Sequence, residues 1–136
     1  MDAAKYLPHA QPMVLIDEIV SVDERSAVAQ SEIRQDHLFL REDGKLERSS
    51  FLELMAQCFA AGACLLATKQ APRLGYLAAV KDFLILADIY LGDLVLIKTN
   101  LLAQVAEILV VDGQIWRKEE LVSKANFKIF VPKVAQ

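Results

Sequence analysis

The sequence predicts an α+β fold in which an antiparallel sheet is wrapped around one central apolar helix. Three observations carry that prediction. Only one segment is long enough and apolar enough to be a major helix, and its apolar residues surround it rather than lining one stripe. After it the chain shows only strand-like segments, which excludes the strand–helix alternation of doubly wound parallel folds. Across all 136 residues there is no linker, repeat or low-complexity tract, so residues 1–136 form a single domain.

The elements follow in order. Leu7-Pro8-His9-Ala10-Gln11-Pro12 is a lead-in loop, because two prolines exclude regular structure there. Met13 to Val22 is rich in Val and Ile and predicts a strand. Asp23-Glu24-Arg25 turns the chain, and Ser26 to Arg34 alternates well enough for a second strand. Gln35 to Arg48 is a polar loop centred on Glu42-Asp43-Gly44-Lys45. The helix then runs from about Ser50 to Lys69. Phe51, Leu52, Leu54, Met55, Phe59, Leu65 and Leu66 cannot share one face, so this helix must be covered on most sides. Ala71-Pro72 stops it. Leu74 to Val80 is a third strand, and Leu91-Gly92-Asp93 turns into a fourth, Leu94 to Ala106. Ile108 to Arg117 and Leu121 to Val131 form a final hairpin. Asp112-Gly113 is the stronger two-residue turn signal. The turn is nevertheless placed at Arg117-Lys118-Glu119-Glu120, which leaves two strands of nearly equal length. The outer face or the edge of such a sheet is the natural place for a dimer.

Composition narrows the function. The net charge of −3 and the scattered Lys and Arg exclude the basic stripe that nucleic acid requires. An apolar fraction of 54% excludes disorder, and implies either a large core or apolar surface covered by a partner or ligand. Cys58 and Cys64 are six apart inside the apolar segment and are expected to be buried, reduced thiols. With His9 and His37 far away in sequence, no metal-ligand spacing exists. The N-terminus lacks the basic start and apolar run of a signal peptide. Phe51 to Thr68 carries Glu53, Gln57 and Gly62 and is too short to span a bilayer, so a cytoplasmic protein without membrane contact is expected.

Two polar residues interrupt the helix, Glu53 and Gln57, on one face at i and i+4. Glu53 has two readings. Ser50-Phe51-Leu52-Glu53 fits a capping box, with the carboxylate reaching back to the N-cap amide. Alternatively, apolar burial and the helix dipole compete over its charge and poise it for proton transfer. His37 is either an exposed loop histidine or a general base. His9, between two prolines, is read as structural, and Ser49 and Ser50 as capping residues. Arg117-Lys118-Glu119-Glu120 is read as a solvated turn.

Two segments resemble a known family. Leu7-Pro8-His9-Ala10-Gln11-Pro12-Met13-Val14-Leu15-Ile16-Asp17-Glu18-Ile19 is similar to the N-terminal signature of bacterial 3-hydroxyacyl-acyl carrier protein dehydratases of the hot-dog fold. Phe51-Leu52-Glu53-Leu54-Met55-Ala56-Gln57 is similar to that family's central-helix motif, Glu-x-Met-Ala-Gln. The element order fits over nearly the whole chain, and the nearest resemblance is to the dehydratase-like subgroup found with aryl-polyene and polyketide-like clusters. One loop departs from the pattern. Where the family carries Gly-His-Phe-Pro-Gly and then Met-Pro-Gly, this chain has Asp36-His37-Leu38-Phe39-Leu40 and then Leu46-Glu47-Arg48. An ungapped count from Glu53 puts the family's histidine at Phe39, and a two-residue insertion puts it at His37.

The resemblance implies dehydration of 3-hydroxyacyl thioesters to enoyl thioesters, in fatty-acid or polyketide-like synthesis. His37 would take the proton alpha to the carbonyl, and Glu53 of a partner subunit would protonate the leaving hydroxyl. Amides at the helix start would polarise the carbonyl. Gln57 and Phe39 are the expected substrate-binding residues. The implied substrate is an acyl carrier protein or coenzyme A thioester, with no cofactor and no metal. A homodimer, a higher homo-oligomer or a heterodimer with another hot-dog protein is expected. A hot-dog thioesterase, with Glu53 or Asp36 activating water, and a non-catalytic acyl-binding partner are the alternatives.

Overall fold

The structure is a computed structural model that describes residues 1–7, 13–67 and 75–132. A short 3-10 turn, Ala3–Tyr6, precedes strands β1 (Glu18–Val22) and β2 (Ser26–Glu32). The helix α1 follows (Ser50–Ala67), then β3 (Tyr76–Ile85), β4 (Leu94–Val105), β5 (Ile108–Arg117) and β6 (Glu120–Phe130). All six strands form one antiparallel sheet in the order β1-β2-β4-β5-β6-β3. Helix α1 lies against β1, β2, β4 and β5. The predicted α+β architecture and element order are therefore present.

The departures from the expected boundaries have physical causes. The first strand begins at Glu18, not Met13, because the backbone of Met13 and Leu15 bonds to side chains instead of to a neighbouring strand. The third strand runs on to Ile85, through a bulge at Lys81-Asp82 where Asp82 takes a left-handed φ of 55°. The last turn is at Lys118-Glu119, as placed from strand lengths, with Lys118 at φ 54°. Gly113 lies inside β5, where a Cβ would sit 2.8 Å from the Met55 sulfur and 2.9 Å from the Phe127 ring. That glycine serves close packing and not a turn. The Gln35–Arg48 loop is pinned by single bridges, Leu40 to Leu46 and Lys45 to Tyr90. The expected structural role of His9 and the helix stop at Ala71-Pro72 lie outside the described residues.

The core gathers Phe51, Leu54, Met55, Cys58 and Ala61 of α1 against Ile97, Val111, Ile115 and Phe127. At 3.6 residues per turn those helical residues occupy one half of the cylinder. The other half carries Leu52, Glu53, Ala56, Phe59 and Ala60, all half-buried, then Ala63 and Leu66, both exposed. The helix is covered on most sides, as expected: among the residues whose burial is described only Ala63 and Leu66 are exposed, and Leu52, Phe59, Ala60 and Leu65 pack against the core. The same side of the sheet is open on β3. Leu77 and Val80 are 46% and 39% exposed, although their register partners Ile129 and Phe127 are buried. Neither cysteine is in a disulfide. Cys58 is buried, with its thiol pushed up to about 12 by desolvation, whereas Cys64 is half-exposed, against expectation. Among the described residues no helix is long and apolar enough to cross a membrane.

Candidate functional site

The site is built around the first turns of α1. Gln57 is fully buried, and its amide is spoken for on both sides. Its Oε1 accepts from the Leu15 amide at 2.8 Å, and its Nε2 donates to the Met13 carbonyl at 2.7 Å. Nε2 also donates to Glu53 Oε1 at 3.1 Å. The Ser31 hydroxyl, from β2, donates to the Leu15 carbonyl at 2.6 Å and holds the same strap from the other side. A single helical glutamine thus replaces the ladder that Met13–Leu15 lacks, and also bonds a carboxylate.

Glu53 does not form a capping box. Ser50 is the first helical residue rather than the cap, its amide donates to the Glu47 carbonyl at 3.1 Å, and its hydroxyl donates to the same oxygen at 2.6 Å. The carboxylate instead stands on the half-buried side of the helix, beside Leu52, Ala56 and Ala60. A carboxylate at the edge of an apolar stripe and near a helix N-terminus is suited to proton transfer.

His37 sits in the turn before the helix and is half-buried. Its Nδ1 accepts from the Phe39 amide at 3.1 Å, which places the proton of the neutral ring on Nε2. That Nε2 is wholly buried and has no hydrogen-bond partner among the described residues. Burial lowers the His37 pKa below the usual histidine range, against weaker opposing pulls from Asp17 and Asp36. The Phe39 ring is tilted 56° to the imidazole at 6.3 Å, and its carbonyl accepts from the Glu47 amide. Phe39 therefore braces the histidine loop against the segment that starts the helix. The structure links Glu53 with Gln57, and His37 with Phe39, as two separate pairs.

An ion-pair cluster that sequence reasoning missed supports the helix start. Arg48 grips Asp88 with two bonds, 2.9 and 3.2 Å, and Lys45 approaches the same carboxylate at 3.7 Å. Arg117 donates to the Asp88 carbonyl at 2.8 Å and to Asp93 and Glu120 at 2.7 Å each. The reading of 117–120 as a solvated turn is thus corrected for Arg117, which is 21% exposed. No short-range signal announces partners 24 and 40 positions apart. Among the described residues no cluster of His, Cys, Asp and Glu could hold a metal ion.

Comparison with known proteins places this geometry. The family profile "ApeP-like: ApeP dehydratase" matches residues 1–136. The chain belongs to that family. The solved structure of the dehydratase heterocomplex ApeI:P from Xenorhabdus doucetiae is similar at 24% identity, over 98% of this chain and 92% of that one, with TM-score 0.90. A hypothetical thioesterase with coenzyme A from Streptococcus pneumoniae is similar at 20% identity, over 88% and 90% of the two chains, with TM-score 0.69. The PaaI protein of E. coli matches at 19% identity, over 83% and 81%, with TM-score 0.67. No curated relative matches the sequence. These likenesses establish the hot-dog fold, and the family makes the chain an ApeP-like dehydratase.

Proposed function

We propose that this ApeP-like dehydratase eliminates water from 3-hydroxyacyl thioesters in fatty-acid or polyketide-like synthesis, with Glu53 as the acid. The observation that carries the reading is the Glu53 carboxylate, bonded by Gln57 and set beside half-buried apolar residues of the same helix. A base removes the proton alpha to the thioester carbonyl, and that electron pair forms the new carbon–carbon double bond. The bond from Cβ to oxygen breaks, and the hydroxyl takes the Glu53 proton and leaves as water. Amides at the start of α1 polarise the carbonyl.

His37 is the base in this reading. To accept at Nε2, its ring must release the Phe39 amide and carry its own proton on Nδ1, a change that substrate binding has to drive. This acid–base chemistry calls on no cofactor or metal. A second hot-dog chain, either a copy or a paralogue, covers the exposed residues of α1 and β3. The ApeI:P heterocomplex supports the paralogue, and the carrier is acyl carrier protein or coenzyme A. Two cysteines outside any disulfide fit a reducing cytoplasm.

The test is enoyl absorbance with 3-hydroxyacyl-carrier-protein and 3-hydroxyacyl-coenzyme A as substrates. Wild type should turn over, and Glu53→Gln should lose about 100-fold or more while staying folded. Equal rates in the two proteins would sink the reading. Release of free thiol in place of enoyl product would identify a thioesterase, and activity only after mixing with a second hot-dog protein would identify an obligate heterodimer.

A further inference from the structure

We propose that the outer face of the sheet, turned away from α1, docks on an anionic lipid surface. The pairing register identifies what stands there. Ile97, Val111, Ile115, Phe127 and Ile129 are buried on the helix side, so the residues that alternate with them face outward. Lys98, Gln114 and Lys124 stand abreast on β4, β5 and β6. One row on come Asn100, Asp112, Asn126 and Lys81, and Lys128 follows between Val110 and Ala79. All four lysines are exposed, and Asp112 is the one carboxylate in these rows. Asp82, in the β3 bulge, and Glu107, in the β4–β5 turn, border them. By strand spacing the four lysines lie within roughly 16 Å of one another, about two Debye lengths at physiological salt.

Elsewhere this acidic chain neutralises its cations. Arg34, Arg41, Arg48, Arg117 and Lys45 each form an ion pair with Asp or Glu. None of the four outer lysines does so among the described residues. Lys98 lies over the Trp116 ring at 5.3 Å, a contact that leaves its charge uncompensated. Beyond Lys128 the same face ends in an apolar cross-strand row of Val105, Ile108, Phe130 and Tyr76. Val105 is 68% exposed and Tyr76 52%. An acidic protein would call only on the lysines. An exposed apolar row bordered by unpaired cations fits a bilayer surface better. The row enters the headgroup region, and each lysine that meets anionic headgroups adds about fivefold in affinity. The contact is peripheral, since no described helix can cross a membrane. It lies opposite the side that holds α1, Leu77 and Val80, so a second chain seated there leaves it free. The sequence suggests no membrane contact, because only strand register gathers lysines that are scattered along the chain.

The experiment is co-sedimentation of the full chain with two kinds of vesicle, phosphatidylcholine alone and an equal mixture with phosphatidylglycerol. Wild type should bind the mixed vesicles, ignore the neutral ones, and come off as salt is raised. The triple variant Lys98→Gln, Lys124→Gln, Lys128→Gln should bind about 100-fold more weakly, with the circular dichroism of wild type. Val105→Ser changes no charge and should weaken binding about tenfold. Three results overturn the proposal: wild type that stays in solution with the mixed vesicles, equal binding to both kinds, or a triple variant that binds like wild type. Should the triple variant fail to fold, the salt series and Val105→Ser decide, and binding that responds to neither overturns the proposal. Binding to soluble polyglutamate but not to the mixed vesicles would identify an acidic macromolecule as the partner and would overturn the bilayer assignment.

Discussion

His37 carries its two ring nitrogens in different circumstances: Nδ1 takes the Phe39 amide, and Nε2 is buried with no partner among the described residues. Protonating the ring would set a new N–H against the Phe39 N–H and would leave a buried charge, so the imidazolium is disfavoured twice. The folded pKa is therefore lowered relative to the unfolded chain, chiefly by desolvation. The sign of the resulting pH dependence follows. Above the unfolded histidine value of about 6.5 both states are neutral and His37 costs nothing. Below it the unfolded chain binds the proton first, so stability is lost as pH falls toward the folded value. Urea denaturation between pH 7.5 and pH 5 should show wild type losing more stability than His37→Gln. Parallel profiles for the two proteins would mean that the ring is not buried as described.

Helix α1 and strand β5 meet at Gly113, where the backbone of one element receives Met55 and the other face of the contact is the Phe127 ring. A methyl group there has no room: its three nearest atoms would lie at 2.8, 2.9 and 3.0 Å. Gly113→Ala should cost about 1–3 kcal/mol by urea denaturation with an unchanged slope, as overpacking of a filled core does. A neutral result would show that helix and sheet can separate without loss. The element scale also explains the helix start. The turn before α1 is held by Arg48 on Asp88 and by Arg117 on Asp93 and the Asp88 backbone, which joins the β3–β4 loop and the β5–β6 turn, at one end of the sheet, to the helix start.

The whole molecule leaves Ala63 and Leu66 of its helix and most of β3 exposed. Leu66 on α1 is 44% exposed beside the exposed Ala63, and Leu77 and Val80 stand 46% and 39% exposed on β3. Exposed apolar surface of this kind marks an interface. Ala63→Arg puts a charge one helical turn from Leu66. Sedimentation should find wild type as a dimer or larger, and Ala63→Arg as a monomer with its helix content kept. A variant that still dimerises would place the interface elsewhere.

The α+β class, the element order, the last turn and the pairing of Glu53 with Gln57 on one helix face were legible in the sequence, because strand period, helical period and turn residues are local signals. The excess of apolar residues was legible too, but not its placement. A helix greasy all round says that it must be covered, and only the packed structure decides that Ala63 and Leu66 are the residues left exposed. In the same way Ser50 could be read as a cap until the chain before it was seen to take that amide. The bonding of the Met13 and Leu15 backbone to Gln57 and the grip of Arg48 on Asp88 depend on contacts between segments far apart in the chain. Periodicity carries no information about such contacts. They are decided when distant backbone polar groups, removed from water, must each find a partner.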